Sequence, residues 1–225
     1  MSLTVGAGEH VAIVGRTGGG KSSLLSLLAG LYRPWSGSIR LAGYDSRAVG
    51  DDDRRRLVGV VPQTVQLFTG TITDNVTLGD PRISIEEVRR AAAITGADAF
   101  IEALPQGYDT ELSGTLELSA GQRQLLALTR AVVGDPVVLL LDEATASIDG
   151  SSDATLRAAL HRLAVERDTG ILTVAHRLST ARQADRIVVL DRGIVIEQGT
   201  PERLLADGGR FATLAGLDAW TAAER

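Results

Sequence analysis

The residues best placed to do chemistry lie near the start of the chain. Gly15-Arg-Thr-Gly-Gly-Gly-Lys21-Ser22 fits the spacing G-x-x-x-x-G-K-[ST] without a gap. An apolar strand-like run, His10 to Val14, precedes it, and an apolar-periodic helix from about Gly20 to Ala29 follows. Gly15, Gly18, Gly19 and Gly20 let consecutive main-chain N–H groups turn toward one anion without Cβ clashes. Thr17 belongs to the same loop. Ser22 and Ser23 open the helix, whose N-terminal partial positive charge favours a phosphate. Lys21 would reach the β- and γ-phosphates of a nucleotide as a compact point charge, and the Ser22 hydroxyl would hold Mg²⁺. Lys21 is also the only lysine among 23 Lys and Arg residues. The planar fork of arginine fits such a nest poorly, which accounts for the single exception in an arginine-rich chain.

A second chemical feature is Val137-Val-Leu-Leu-Leu141-Asp142-Glu143, five apolar residues ending in two carboxylates. Parallel sheets place ligands at the carboxyl ends of their strands, so both acids belong beside the phosphate loop. Successive strand residues point in different directions, which allows two roles. Asp142 would hold Mg²⁺ through its water shell. Glu143 would face the γ-phosphate and orient or deprotonate an attacking water. Without the phosphate loop, the same pair would read as a strand end meeting solvent.

These groups need elements to position them. A chain of 225 residues buries roughly 70% of its unfolded surface, enough to fold without disulfides or a structural metal. It has no cysteine, which excludes a thiol nucleophile and a Cys-ligated zinc site. Hydrophobic residues at 44% and charged residues at 23% are those of a soluble globular domain. A net charge of −5 provides no basic field to recruit nucleic acid. The first residues lack the basic region of a signal peptide, and their apolar run carries Glu9 and His10. No window offers about 18 successive apolar residues.

Strand-like runs at Ser38 to Leu41, Leu57 to Val61, Val137 to Leu141, Ile171 to Ala175, Ile187 to Leu190 and Ile194 to Glu197 alternate with helical patterns. A long helix fits Ser152 to Val165, with Ser151, Ser152 and Asp153 as cap candidates. Asp51 to Asp53 followed by Arg54 to Arg56 reads as a turn running into a helix, acids first. The expected fold is α/β: a P-loop core with a mostly parallel sheet covered on both faces. A helical stretch, roughly Thr71 to Val133, interrupts the alternation and reads as an inserted subdomain. The whole chain forms one domain, with a core of about 1–66 and 135–225 and a helical subdomain of about 67–134.

Leu118-Ser-Ala-Gly-Gln122 adds a resemblance. It is similar to the L-S-G-G-Q signature of ATP-binding cassette (ABC) ATPases, with Ala120 a mild departure. Gln63 in Val61-Pro-Gln resembles that family's Q-loop, Ala146-Ser-Ile-Asp149 its D-loop, and His176 its switch histidine. Leu67-Phe-Thr-Gly-Thr-Ile-Thr-Asp-Asn75, Asp142-Glu-Ala-Thr-Ala and His176-Arg-Leu-Ser-Thr180 resemble the exporter branch. The resemblance implies an ATP hydrolase that powers export through separate or upstream membrane helices, with ATP and Mg²⁺ bound. Gln63 would approach Mg²⁺ and the attacking water, and His176 the γ-phosphate. Ser119, Ala120, Gly121, Gln122 and Asp149 would complete a site on a second ATP-binding domain, in a homodimer or a heterodimer. The partners implied are that domain and a transmembrane domain, at the cytoplasmic face of the cell membrane; nucleic acid is not among them. A soluble ABC ATPase with a non-transport role is the alternative.

The sequence departs from the family in two places. Members begin with more residues, which carry an adenine-stacking aromatic and further strands, so truncated N-terminal strands and a bare sheet edge are expected. The first aromatic, Tyr32, is eleven residues past Lys21, roughly 16 Å along a helix, and is no adenine platform. Before the signature, Leu112-Ser-Gly-Thr-Leu-Glu117 lacks the Gly-Glu-x-Gly run of many exporters. The lone lysine yields a direct test. Lys21→Ala should abolish tight ATP binding, and Lys21→Arg should weaken it nearly as much; titration calorimetry with ATP measures both.

Overall fold

A computed structural model describes residues 1–112, 118–142, 150–175 and 178–223. The strands are β1 (His10–Val14), β2 (Arg40–Leu41), β3 (Tyr44–Asp45), β4 (Val58–Val61), β5 (Val138–Asp142), β6 (Gly170–Val174), β7 (Arg186–Asp191) and β8 (Ile194–Gly199). Among the described residues, six of them form one sheet in the order β4-β5-β6-β1-β7-β8. All neighbours are parallel except β7 and β8. β1 sits between β6 and β7, with Ala12 opposite Thr173 on one side and Ile187 on the other. This is the mostly parallel α/β sheet expected. The Ser38 to Leu41 run differs: only Arg40–Leu41 is strand, and it pairs antiparallel with Tyr44–Asp45 outside the main sheet.

The helices are α1 (Lys21–Leu28), α2 (Asp51–Leu57), α3 (Ile72–Thr77), α4 (Ile85–Thr95), α5 (Asp98–Glu102), α6 (Ala120–Val132), α7 (Gly150–Arg167), α8 (Leu178–Ala181), α9 (Pro201–Ala206) and α10 (Arg210–Ala223). α2 takes three acids in its first turn and three arginines in its last, which complements the helix dipole. α7 begins at Gly150, so Ser151, Ser152 and Asp153 lie in its first turn rather than before it. α3, α4 and α6 each start with a capping box: Thr71 with Asp74, Ser84 with Glu87, and Ser119 with Gln122.

Both faces of the sheet are covered. On one face Leu139, Leu141 and Ile171 pack with Leu128 of α6 and Leu156 and Leu163 of α7. Farther along that face Ala12, Val14, Ile187 and Val189 pack against Phe211 and Leu204. The opposite face buries Val11, Ile13, Leu140, Leu172 and Val188 with Leu25 of α1. The helical stretch has its own cluster, built on Ile72, Val76, Val88, Ile101, Tyr108, Leu125 and Leu126. α6 therefore serves two cores, with Leu125 and Leu126 in one and Ala127, Leu128 and Val132 in the other.

A polar clamp ties the loop after β4 to the helical cluster. Asn75, 1% exposed, accepts from Phe68 N (2.8 Å) and donates to Phe68 O (2.8 Å) and Thr71 O (3.0 Å). Arg130 of α6 donates to Asn75 O (2.7 Å) and Gln66 O (3.1 Å), and its guanidinium stacks over Phe68. The chain between Gln66 and Thr71 is thereby fixed by side chains from two helices.

At the opposite end of the sheet His10 is half-buried, with Nε2 2.9 Å from Thr173 Oγ1. Burial holds its imidazole below the usual histidine range, and the Asp185 carboxylate offsets only part of this. Between the lowered folded pKa and the ordinary value near 6.5, the unfolded chain binds more protons than the folded one. Stability should therefore fall as pH drops from above 6.5 toward the folded pKa. His10→Gln should flatten that dependence, read from urea-unfolding midpoints across pH. Asn75→Ala should cost about 2–3 kcal/mol in the same assay, because it takes away the side-chain partners of Phe68 N–H and C=O, while Thr71 O keeps its bond from Asn75 N. Asn75→Asp should cost at least as much, because a buried carboxylate oxygen then faces the Phe68 and Thr71 carbonyl oxygens.

Candidate functional site

The loop after β1 starts with a close approach. A Cβ at Gly15 would run into the Leu190 carbonyl oxygen of the neighbouring strand, so only glycine lets the chain leave β1 there. Gly19 N donates to Arg16 O (2.9 Å), which curls the loop. Lys21, the first residue of α1, is 5% exposed and returns under the loop. Its Nζ donates to Gly15 O (2.7 Å) and Arg16 O (3.0 Å). Gly19 O accepts from Gly193 N (2.9 Å), and Gly20 O from Leu24 N (3.0 Å). Thr17 and Gly18 are exposed at the tip, and Ser22 and Ser23 are exposed in the first turn of α1. The carbonyls of Gly15, Arg16, Gly19 and Gly20 are thus taken by protein donors, and a helix N-terminus with a buried ammonium beside it can receive an anion.

Asp142 is the last residue of β5, paired in register with Val174. It sits inside the strand, one residue beyond the expected end, because the parallel pairing with β6 continues through it. Only β6 separates β5 from β1, so Asp142 stands about 10 Å from the end of β1 at the spacing of two strands. Gln63 is exposed two residues past the end of β4, the next strand outward. The parallel sheet thus brings Gln63, Asp142 and the phosphate loop to one edge. Glu143, Asp149 and His176 lie outside the described residues. Glu143 directly follows Asp142, and His176 is the second residue after Val174.

Ser119 to Gln122 stand on a different packing unit, since Leu118 is buried in the helical cluster. Ser119 is the N-cap of α6. Its hydroxyl accepts from Gln122 N (3.1 Å), and Gln122 Oε1 accepts from Ser119 N (2.9 Å). Ser119 and Ala120 are exposed and Gly121 is buried.

Among the described residues no group of three or more His, Cys, Asp and Glu side chains could hold a metal ion. The oxygen donors Ser22, Gln63 and Asp142 still suit Mg²⁺, which keeps several waters and binds through few protein oxygens plus substrate phosphates. Sequence reasoning missed the support around this edge: Leu190, Gly193, Asn75 and Arg130. Asp191-Arg-Gly193 between two apolar runs is a readable hairpin signal; its contact with the phosphate loop is not readable from spacing. No helix among the described residues is long and apolar enough to cross a membrane.

Comparison with known proteins agrees with this geometry. The family model described as ABC transporter matches residues 1–146. The chain is 42% identical to an uncharacterized ABC transporter ATP-binding protein, YknV, of Bacillus subtilis, over 100% of this chain and 37% of that protein. It is 44% identical to the mycobactin import ATP-binding/permease protein IrtA of Mycobacterium tuberculosis, over 95% of this chain and 25% of that protein. A solved structure of a bacterial Atm1-family ABC exporter with ATP bound superposes with a TM-score of 0.87 at 39% identity, covering 97% of this chain and 38% of that one. The chain spans between a quarter and two fifths of the length of these relatives. With a phosphate loop on β1, an acidic strand end on β5 and a capped signature helix in a separate helical cluster, the chain belongs to the ABC transporter family.

Proposed function

We propose that this domain binds ATP on residues 15–23 and hydrolyses it to drive a substrate outward through membrane helices borne on other segments or on a partner chain. The observation that carries this reading is the phosphate loop: a buried Lys21 ammonium at the start of α1 beside carbonyls that already have donors. The solved relative with ATP bound supports the choice of nucleotide.

In this reading Gly15, Thr17, Gly18, Gly19, Gly20, Lys21, Ser22 and Ser23 cradle the phosphates. Ser22, Gln63 and Asp142 hold Mg²⁺, which when bound neutralises phosphate charge. Glu143 accepts the proton of the attacking water, Gln63 helps to orient that water, and His176 contacts the γ-phosphate. The rate then comes from positioning and fixed charge around an in-line attack. Ser119, Ala120, Gly121, Gln122 and Asp149 complete the site of a second ATP-binding domain, so two domains close over two nucleotides. The core of about 1–66 and 135–225 would supply one wall of each site and the helical subdomain of about 67–134 the other. The assembly would work at the cytoplasmic face of a membrane. Import by the same architecture is a second reading, favoured by one observation: the relative named for mycobactin import is 44% identical.

Glu143→Gln tests the hydrolytic dimer. It keeps the side chain's shape and removes the carboxylate that takes the proton. The variant should bind ATP, lose at least about a hundredfold in turnover and accumulate as a dimer in ATP. The unsubstituted domain should be mostly monomeric without nucleotide. Size-exclusion chromatography with light scattering and phosphate release measure these outcomes. A variant that hydrolyses at the parent rate removes Glu143 from the mechanism.

A further inference from the structure

The turn between β7 and β8 touches the phosphate loop at several points, although it lies more than 170 residues along the chain. Asp191 pairs with Ile194, leaving a two-residue turn of Arg192 and Gly193. Both have positive φ, 47° and 76°, the geometry of the primed hairpin turns that match strand twist. That conformation places Gly193 N 2.9 Å from Gly19 O as a donor. A Cβ at Gly20 would meet Gly193 main chain at 3.4–3.5 Å, and one at Gly15 would strike Leu190 O. The strand end and the turn together form a floor under Gly15, Gly19 and Gly20.

We propose that the Arg192–Gly193 turn is a positioning element for nucleotide binding, acting through the Gly19–Gly20 peptide. In a trans peptide the C=O of one residue and the N–H of the next point in opposite directions. Holding Gly19 O on Gly193 N therefore aims Gly20 N–H away from the turn, into the hollow where an anion is received. A free Gly19–Gly20 peptide could flip and present an oxygen to the phosphate instead. Gly193 touches no phosphate itself; it fixes which side of a neighbouring peptide does. The proposal rests on residues 15–23 being the ATP site.

The test uses the 225-residue chain with ATP in Mg²⁺ buffer. Gly193→Val cannot hold φ near 76°, because a β-branched residue is strained there, so the turn swings and the hydrogen bond is lost. Gly193→Asn tolerates that conformation and keeps the N–H. The expected Kd for ATP is roughly five- to tenfold higher in Gly193→Val, the scale of one lost hydrogen bond, and about equal to the parent in Gly193→Asn. KM should rise with Kd while kcat at saturating ATP stays within about twofold, a split that general weakening of the fold does not produce. Should Gly193→Val fail to fold, amide hydrogen exchange at Gly193 in the unsubstituted chain decides the matter: the amide should be protected, and more so with ATP. Parent-like affinity in Gly193→Val, equal impairment in Gly193→Asn, or exchange at an unprotected rate would each overturn the proposal. A parent chain that does not bind ATP would instead overturn the reading of residues 15–23 beneath it.

Discussion

Main-chain N–H groups can hold an anion only where the neighbouring carbonyls are turned away and given other partners. A carbonyl left free in the hollow would repel the charge that the amides attract. Much of this structure meets that one requirement. Gly15 O and Arg16 O face the Lys21 ammonium, and Arg16 O also closes the curl from Gly19 N. Gly19 O is taken by the β7–β8 turn, and Gly20 O by the helix it opens. The ammonium is itself held in place by the carbonyls it satisfies, so the positive charge and the loop shape stabilise each other.

The same logic of satisfied ends recurs in the helical cluster. The N-terminus of α6 is closed by Ser119 and Gln122, each side chain serving the other's main-chain N–H. Those two residues belong to the signature, so the motif carries a local structural duty as well as the proposed contact with a second domain. α6 also carries Arg130, whose guanidinium reaches the loop between Gln63 and α3. One helix thus joins the signature, the glutamine loop and the sheet face packed by Leu128.

The sequence was most legible where the physics is local. The phosphate loop needs a strand, glycines and a helix start within a few residues, and β1, residues 15–20 and α1 follow in that order. The apolar run ending at Asp142 is a buried parallel strand, as its lack of alternation requires. Legibility failed where the deciding partner is far away. Ala42-Gly43 after Ser38 to Leu41 is a turn signal like Arg192-Gly193, but spacing does not reveal that this hairpin stays outside the main sheet. Asn75 and Arg130 read as ordinary polar positions; their burial follows from how α3 and α6 meet. Strand ends moved by a residue at Asp142 and Asp191 because a parallel or hairpin partner prolongs pairing beyond the apolar run. Glu143, Asp149 and His176 stay known by sequence position alone, being outside the described residues.

The strand order has a consequence for how the molecule is made. β1 leaves the ribosome about 150 residues ahead of β6 and β7, the only strands it pairs with among the described residues. His10 N donates to Asp185, 175 residues later in the chain. At a synthesis rate of about 5–20 residues per second, β1 waits roughly 10–35 s for its neighbours. During that interval Val11, Ile13 and Val14 form an unpaired apolar strand, and the floor that seats Gly15 and Gly19 does not yet exist. The phosphate loop, encoded ahead of β6 and β7, therefore takes its final shape only after them. A nascent chain stalled before residue 186 cannot yet seat it, whatever the concentration of nucleotide around it.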